Sequence, residues 1–219
     1  MYRIIAVLNE AEVAQCRTIA ASAPFVDGRL TNPHNIAKVN QQLGDASAYQ
    51  KTSQLLQLAL ARSEEVREFA FPVVTAPPLM TRYRPGMHYG AHADAAFLQL
   101  PTGVPFRSDL SCTIFLSEPG SYEGGALHVR LGDASLRFKL AAGEAVIYPS
   151  DTLHEVEPVS SGERLVAITF MQSRIQDPFR RNLLFDLTEV AALEGRKMTH
   201  ENFTRLQLIQ SQLLRHWAG

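Results

Sequence analysis

Cysteine is scarce in this sequence, and its scarcity limits how the chain can be stabilised. Only two cysteines, Cys16 and Cys112, occur among 219 residues, and they lie far apart. Small secreted domains that depend on disulfides carry several pairs of cysteines. The sequence therefore predicts no disulfide framework. Two unpaired thiols favour a reducing compartment, so we expect a cytoplasmic protein.

Runs of positive charge and long apolar runs are also missing. The formal net charge is -1, and no stretch of five or more basic residues offers the positive face that nucleic acid requires. Apolar runs such as residues 69–76 are far shorter than the roughly 20 residues of a membrane-spanning helix. The start, residues 1–8, is too short for a signal peptide. We expect no nucleic-acid partner and no membrane association.

Helical patterns occupy the first third of the chain. Asn9 with Glu12 three positions later resembles a capping box, and the spacing predicts a helix to about Ala23. A second helix is predicted to end near Ser63, with one face formed by Tyr49, Thr52, Leu56 and Leu60. Residues 27–44 are rich in turn formers, and the pattern predicts no element there.

The period of the pattern changes from about residue 78. Short β-rich runs alternate with turn signals, and Gly132-Asp133 is typical of a hairpin turn. Eight strands with no helix between them predict a β-sandwich, jelly roll or barrel. The predicted strands are 79–84, 88–93, 110–117, 126–131, 135–140, 145–148, 153–159 and 164–172.

Two helices are predicted after the sheet. Asp177 caps the first, Pro178 occupies its first position and Gly195 can close it. Thr199 can cap the second, whose apolar face ends at Trp217. The predicted organisation is an N-terminal helical flank packed on the core (1–76), a core domain (77–175) and a C-terminal helical extension (176–219).

His92 and Asp94 are the first candidates for chemistry. On a strand, residues two apart point to the same face with their α-carbons about 6.6 Å apart, so both side chains can reach one metal ion. Imidazole and carboxylate suit iron(II) or a similar divalent ion. The alternative is an exposed strand pair without a ligand, and the His-x-Asp spacing alone leaves both possibilities open.

His154 can complete such a site, and Arg164 follows it by ten residues. Two histidines and one carboxylate on one face of an octahedron leave up to three positions for substrates and oxygen. A histidine at this position can also be purely structural. Arg164 begins an apolar strand, where a guanidinium needs a partner. That partner is either an internal carboxylate or the carboxylate of a dicarboxylic cosubstrate.

The order of these residues resembles the His-x-Asp…His…Arg signature of the 2-oxoglutarate/iron(II) dioxygenases. Finer motifs are similar to one branch, the bacterial PKHD-type hydroxylases, which resemble the prolyl 4-hydroxylase catalytic domain. Similarity runs nearly end to end, including the final residues 213–218. The matching motifs are Arg82-Tyr83, Gly86-Met87, residues 89–95, Asp109-Leu110-Ser111, Phe115-Leu116-Ser117, residues 122–127, Tyr148-Pro149-Ser150 and residues 153–156.

This resemblance implies an α+β fold: a double-stranded β-helix (jelly-roll) core flanked by N-terminal and C-terminal helices. It implies Fe(2+) held by His92, Asp94 and His154, and 2-oxoglutarate held by Arg164 and Tyr83. For Tyr83 a half-buried strand aromatic without that role is an equal alternative. The implied reaction consumes O2 and 2-oxoglutarate, hydroxylates a substrate and releases succinate and CO2. L-Ascorbate (vitamin C) is the implied reductant.

Two departures from the branch concern the substrate. Ala95 stands where the branch usually has asparagine, and His88 differs within the Gly-Met-x-Tyr-Gly run. The resemblance implies peptidyl proline or lysine as the substrate, and a small molecule such as one connected with iron uptake is an equal alternative. The C-terminal helices are expected either to pack on the domain and buttress the sheet, which is the preferred interpretation, or to form the interface of a homodimer. The alternatives in other classes are a non-catalytic metal or 2-oxoglutarate sensor and a cupin-like zinc protein.

Overall fold

The computed structural model describes residues 1–33 and 35–218. His34, in the segment without a predicted element, and Gly219, the last residue of the predicted extension, lie outside the described residues. Five helices flank the sheets: α1 (Glu10–Ser22), α2 (Ala46–Arg62), α3 (Glu64–Ala70), α4 (Pro178–Glu194) and α5 (His200–Trp217).

The strands, in chain order, are β1 (Arg3–Ala6), β2 (Phe25–Asp27), β3 (Lys38–Val39), β4 (Gln41–Leu43), β5 (Pro72–Thr75), β6 (Leu79–Tyr83), β7 (His88–His92), β8 (Phe97–Gln99), β9 (Pro105–Arg107), β10 (Leu110–Phe115), β11 (Tyr122–Gly124), β12 (Leu127–Leu131), β13 (Ala134–Phe138), β14 (Glu144–Pro149), β15 (His154–Val156), β16 (Val159–Gly162) and β17 (Arg164–Ser173).

Two antiparallel sheets form the centre of the molecule. The larger runs β1-β14-β10-β17-β6-β4-β2, with β5 also paired to β17, and the smaller runs β13-β12-β15-β7-β3. Two further pairs, β11-β16 and β8-β9, form short ribbons. Successive strands cross between the two sheets, since β14 and β17 belong to the larger sheet and β15 to the smaller. The predicted mixed architecture of helices and antiparallel strands is confirmed.

Alternation along the central strands creates two hydrophobic layers. Ala145 and Ile147 of β14 pack under the helices, in a cluster with Leu56, while Val146 and Tyr148 face the smaller sheet. Side chains two apart share a face of a strand, so one strand serves both layers. The layer between the sheets contains the candidate site, and the layer under α1–α3 supports the larger sheet.

The helix caps agree with the sequence. Asn9 and Glu12 form the expected capping box of α1, Asp177 caps α4 with Pro178 in its first turn, and Thr199 caps α5. Gly195 does not close α4 in the left-handed conformation. Its φ is −55°, and the chain continues through a short 3-10 turn.

The helical description of residues 1–76 needs correction. This segment also supplies β1, β2, β4 and β5 to the larger sheet and β3 to the smaller one. Each has two to four residues, too few to show alternation, which is why the pattern did not predict them. No helix among the described residues combines the length and apolarity that crossing a bilayer requires.

Candidate metal and cosubstrate site

Strand register brings two histidines together. His92 ends β7 and His154 begins β15, and these residues are direct partners in the antiparallel pairing of the two strands. Their ring centroids lie 4.2 Å apart. Asp94 follows β7 rather than continuing it, which corrects the expectation that His92 and Asp94 share a strand. Ligand atoms of His92, Asp94 and His154 all lie within 4.8 Å of one another.

Hydrogen bonds fix the tautomer of both rings. The Nδ1 of His92 is 2.8 Å from the Gly90 carbonyl oxygen, and that of His154 is 3.0 Å from the Thr152 carbonyl. A carbonyl can only accept, so each Nδ1 carries the proton. Each Nε2 then keeps its lone pair free, which is the form of imidazole that binds metal.

Aromatic packing holds the two rings in place. Tyr89 stacks on His92 with centroids 3.6 Å apart, and Tyr148 meets His154 edge-on at 5.3 Å. Burial, together with the neighbouring His154, lowers the pKa of His92 below its usual range. A lowered pKa keeps the imidazole neutral near pH 7, as ligation requires.

The Asp94 carboxylate is held from behind by a chain of serines. Ser111 Oγ donates to Asp94 Oδ2 at 2.5 Å, Ser111 and Ser150 hydroxyls are 2.8 Å apart, and Ser108 donates to Ser150 at 2.9 Å. The Asp94 backbone N–H also donates to the Ser150 carbonyl. Asp94 Oδ2 lies 3.5 Å from His154 Nε2. The serine chain fixes which way the carboxylate points.

Arg164 lines the same narrow cavity as the two histidines and Asp94. It is 1% exposed, and its Nε has no partner among the described residues. Its guanidinium carbon is 4.9 Å from the Tyr83 ring centroid and 5.6 Å from that of Phe115. A Cβ at Gly125 would lie 3.2 Å from Cδ of Arg164, so this glycine leaves room for the side chain.

Tyr83 is buried in the wall of the cavity and is therefore not a half-buried strand aromatic. It is 4% exposed, lines the cavity, and its hydroxyl accepts a 2.8 Å hydrogen bond from Asn40. Burial raises its pKa, so the phenol stays protonated and its own O–H is free to donate.

All five residues proposed from the sequence therefore line one cavity. Sequence reasoning assigned no role to Ser111 and Ser150, although both lie within the motifs that carried the resemblance. It also missed Asn40, which lies in a segment without a predicted element. Serine and asparagine are common on surfaces, so only the structure shows that these three are buried.

The sequence model of the 2OG-Fe(II) oxygenase superfamily matches residues 78–172. A PKHD-type hydroxylase of Sphingopyxis alaskensis is 57% identical over 217 residues, 99% of each chain. The chain belongs to the PKHD-type hydroxylases. A PKHD-type hydroxylase of Burkholderia cenocepacia is 41% identical over 225 residues, covering 100% of this chain and 99% of that one.

One solved structure is similar to this chain in its fold. The prolyl-4-hydroxylase of Pseudomonas putida has a TM-score of 0.54 and 23% identity, covering 78% of this chain and 92% of that one. The protein is thus an Fe(II)- and 2-oxoglutarate-dependent oxygenase that hydroxylates a substrate with O2. This confirms the family and the activity that the sequence motifs implied.

Proposed function

We propose that His92, Asp94 and His154 are the iron ligands of this hydroxylase. The observation that carries the assignment is that backbone carbonyls occupy both Nδ1 atoms, while ligand atoms of all three residues lie within 4.8 Å of one another. Two neutral imidazoles and one carboxylate suit iron(II) and leave coordination positions for cosubstrates. A structural zinc site is closed by four ligands, and within the described residues this cluster has three.

We further assign the binding of 2-oxoglutarate to Arg164 and Tyr83. A buried guanidinium without a carboxylate partner is costly, and a carboxylate of the cosubstrate would remove that cost. Tyr83 can donate its hydroxyl proton to the same carboxylate while Asn40 holds the oxygen. The orphaned Nε of Arg164 is the feature that fits this ligand.

The residues of the chain position and shield the reacting groups. The iron supplies oxygen activation when it is bound, and the protein supplies geometry and a dry pocket. Tyr89 and Tyr148 prevent the ligand rings from rotating. Apolar side chains such as Leu127, Val156 and Ile168 line the cavity and exclude water around Arg164, which strengthens its interaction with an anion.

We propose three further properties of this protein: the fold of its core, its reductant and its location. Alternation of strands between the two sheets supports a double-stranded β-helix core within 77–175, with flanks at 1–76 and 176–219. Ascorbate is the proposed reductant, on the strength of the family resemblance. The two buried free thiols, Cys16 and Cys112, support a cytoplasmic location.

A homodimer is proposed from the surface of the C-terminal helices. The structure describes every residue of α5, and none of them is buried. Together α4 and α5 expose large apolar side chains such as Phe179, Leu193 and Leu208. Exposed apolar faces of this kind commonly mark protein contacts. A second copy of the same helix pair, related by a two-fold axis, would cover both faces at once.

One experiment tests the proposed activity against the sensor alternative. Purified protein is supplied with Fe(II), ascorbate and cell extract, and oxygen consumption is measured with and without 2-oxoglutarate. Catalysis predicts oxygen uptake that depends on 2-oxoglutarate, with a mass increase of one oxygen atom on some molecule of the extract. A sensor would bind 2-oxoglutarate without consuming oxygen, and that result would overturn the proposal.

A further inference from the structure

A second, much larger cavity lies on the other side of Asp94. Its volume is about 690 Å³, and its wall joins the end of β14, the start of α4 and Trp217 at the end of α5. Cavities of roughly 300–1,000 Å³ hold small-molecule ligands. Asp94 lines both this cavity and the narrow one that ends at Arg164, so a molecule in the larger cavity lies against a proposed iron ligand.

The deepest charged side chain in the wall of this cavity is Arg181. It is 2% exposed, its Nη1 donates to the Ile175 carbonyl at 3.1 Å, and its Nε has no partner among the described residues. Among the described residues, no carboxylate accepts a hydrogen bond from the Arg181 guanidinium. Burial lowers the pKa of Arg181 despite the nearby Asp109, Asp151 and Asp177. The protein leaves this buried cation incompletely compensated.

The other charges of the wall indicate the size of the missing charge. Arg107 is neutralised by two hydrogen bonds to Asp109. The remaining arginines, Arg174, Arg180 and Arg181, face two aspartates, Asp151 and the helix cap Asp177. Because Arg174, Arg180, Asp151 and Asp177 are exposed to solvent, the charge left uncompensated is the buried one of Arg181. A single carboxylate balances it, whereas a phosphate monoester carries about −1.5 to −2 at pH 7.

We propose that this cavity is the primary-substrate site and that Arg181 binds a carboxylate of the substrate. The inference rests on the proposed function, because it takes Asp94 as the boundary between cosubstrate and substrate. Arg181 and Arg164 are then equivalent devices in separate cavities. One holds a carboxylate of 2-oxoglutarate, and the other anchors the molecule to be hydroxylated.

The test compares a small acid with its uncharged amide. Thermal unfolding of the Fe(II)/2-oxoglutarate complex is followed without oxygen, at rising concentrations of N-acetylglycine or N-acetylglycinamide, with ionic strength matched by sodium chloride. Ligand that binds only the folded state raises Tm once its concentration exceeds Kd, and Tm then rises with the logarithm of the concentration, which gives an apparent Kd. The proposal predicts an apparent Kd for the acid at least tenfold below that of the amide. Acid that binds no better than the amide in the unmodified protein overturns it.

Variants locate the effect. Arg181→Met, which keeps a long side chain without the charge, should remove the preference for the acid. Arg130→Met removes the same charge from an exposed position outside the cavity and should preserve the preference. If Arg181→Met fails to fold, Arg174→Gln at the exposed rim should weaken acid binding, and the comparison in the unmodified protein still decides. An unchanged preference in folded Arg181→Met contradicts the assignment.

Two controls separate this inference from its premise and identify the source of the carboxylate. Stabilisation of the Fe(II) protein by 2-oxoglutarate reports on the narrow cavity. If 2-oxoglutarate does not stabilise the unmodified protein, the proposed function is refuted. If 2-oxoglutarate stabilises it but the acid binds no better than the amide, only the proposed substrate site is refuted. A peptide ending in a free glycine carboxylate is then compared with N-acetylglycine. Equal or tighter binding of the peptide indicates a chain terminus, and exclusion of the peptide indicates a small molecule.

Discussion

Arg107 and Arg164 differ in what surrounds the guanidinium. Arg107 is held by Asp109 through two hydrogen bonds. Arg164 has aromatic rings around it and an Nε without a partner among the described residues. The first is an internal ion pair, and the second is the pattern expected for a ligand-binding group. The identity of the residue alone does not distinguish these roles.

Arg164→Lys tests the cosubstrate role at the scale of one residue. Lysine keeps the charge but cannot make paired hydrogen bonds to a carboxylate. Losing one charge-assisted hydrogen bond costs about 1.5–3 kcal/mol, so the KM for 2-oxoglutarate should rise about tenfold or more. Iron binding should be preserved in Arg164→Lys. In the exposed control Arg130→Lys, both the KM for 2-oxoglutarate and the affinity for iron should be unchanged. An unchanged KM would show that Arg164 is only structural.

Ser111→Ala tests the support of the Asp94 carboxylate. Ser111 is buried and donates to the Oδ2 of Asp94. Partners that orient a metal ligand typically change metal affinity by about 10–100-fold when they are removed. We therefore expect weaker iron binding, measured by competition with a chelator, with the fold retained. The control is Ser160→Ala, because Ser160 is exposed. Equal iron affinity in the two variants would show that the serine chain does not support Asp94.

At the scale of elements, the long strands were predictable and the short ones were not. The runs 79–84, 88–93 and 164–172 correspond to β6, β7 and β17 within two residues at each end. Run 153–159 instead divides into β15 and the start of β16. The short α3 was missed because the pattern ends the preceding helix at Ser63, which in fact caps the next one. Alternation needs several residues to be visible.

The sequence proposes the residues of the candidate site but not their geometry. Spacing and resemblance nominated His92, Asp94, His154, Arg164 and Tyr83. Their convergence depends on the pairing of β7 with β15 and of β6 with β17, where Arg164 and Tyr83 are direct partners. Pairing between strands distant in sequence is decided by tertiary packing, which no local pattern contains.

A carboxylate directly after β15 of the smaller sheet should make stability depend on pH. Glu157 accepts hydrogen bonds from Arg137 and lies 2.6 Å from His128 Nε2. The hydrogen bonds from Arg137 are the main reason that the pKa of Glu157 falls from 4.5 to about 2. A lowered pKa gives stability that is present above pH 4.5 and is lost as the pH falls toward 2.

Glu157→Gln should therefore reduce the free energy of unfolding by about 0.5–1 kcal/mol at pH 7, since the pair is partly exposed. The difference between the variant and the unmodified protein should shrink as the pH falls from 5 to 2. Urea unfolding at several pH values measures both quantities. Glu123→Gln, an exposed glutamate, is the matched control. A difference that stays constant across this range would argue against the ion pair.

At the scale of the whole molecule, the exposed faces of α4 and α5 predict a dimer. Light scattering should give the unmodified protein twice the 24.3 kDa monomer mass. Leu208→Glu places a charge on the exposed apolar face and should give the monomer, while Gln207→Glu adds the same charge beside it and should not. Deleting residues 199–219 should also give the monomer. An unmodified protein that is monomeric at high concentration would refute the dimer.

Three side chains are proposed to hold the iron on which turnover depends. The direct measurement is iron-dependent succinate formation from 2-oxoglutarate, with iron content, in His92→Ala, Asp94→Ala and His154→Ala. His216→Ala, an exposed histidine, is the control. Each of the three folded variants should lose iron affinity and succinate formation, while the control should keep both. Unchanged iron binding and succinate formation in any one of the three would contradict it.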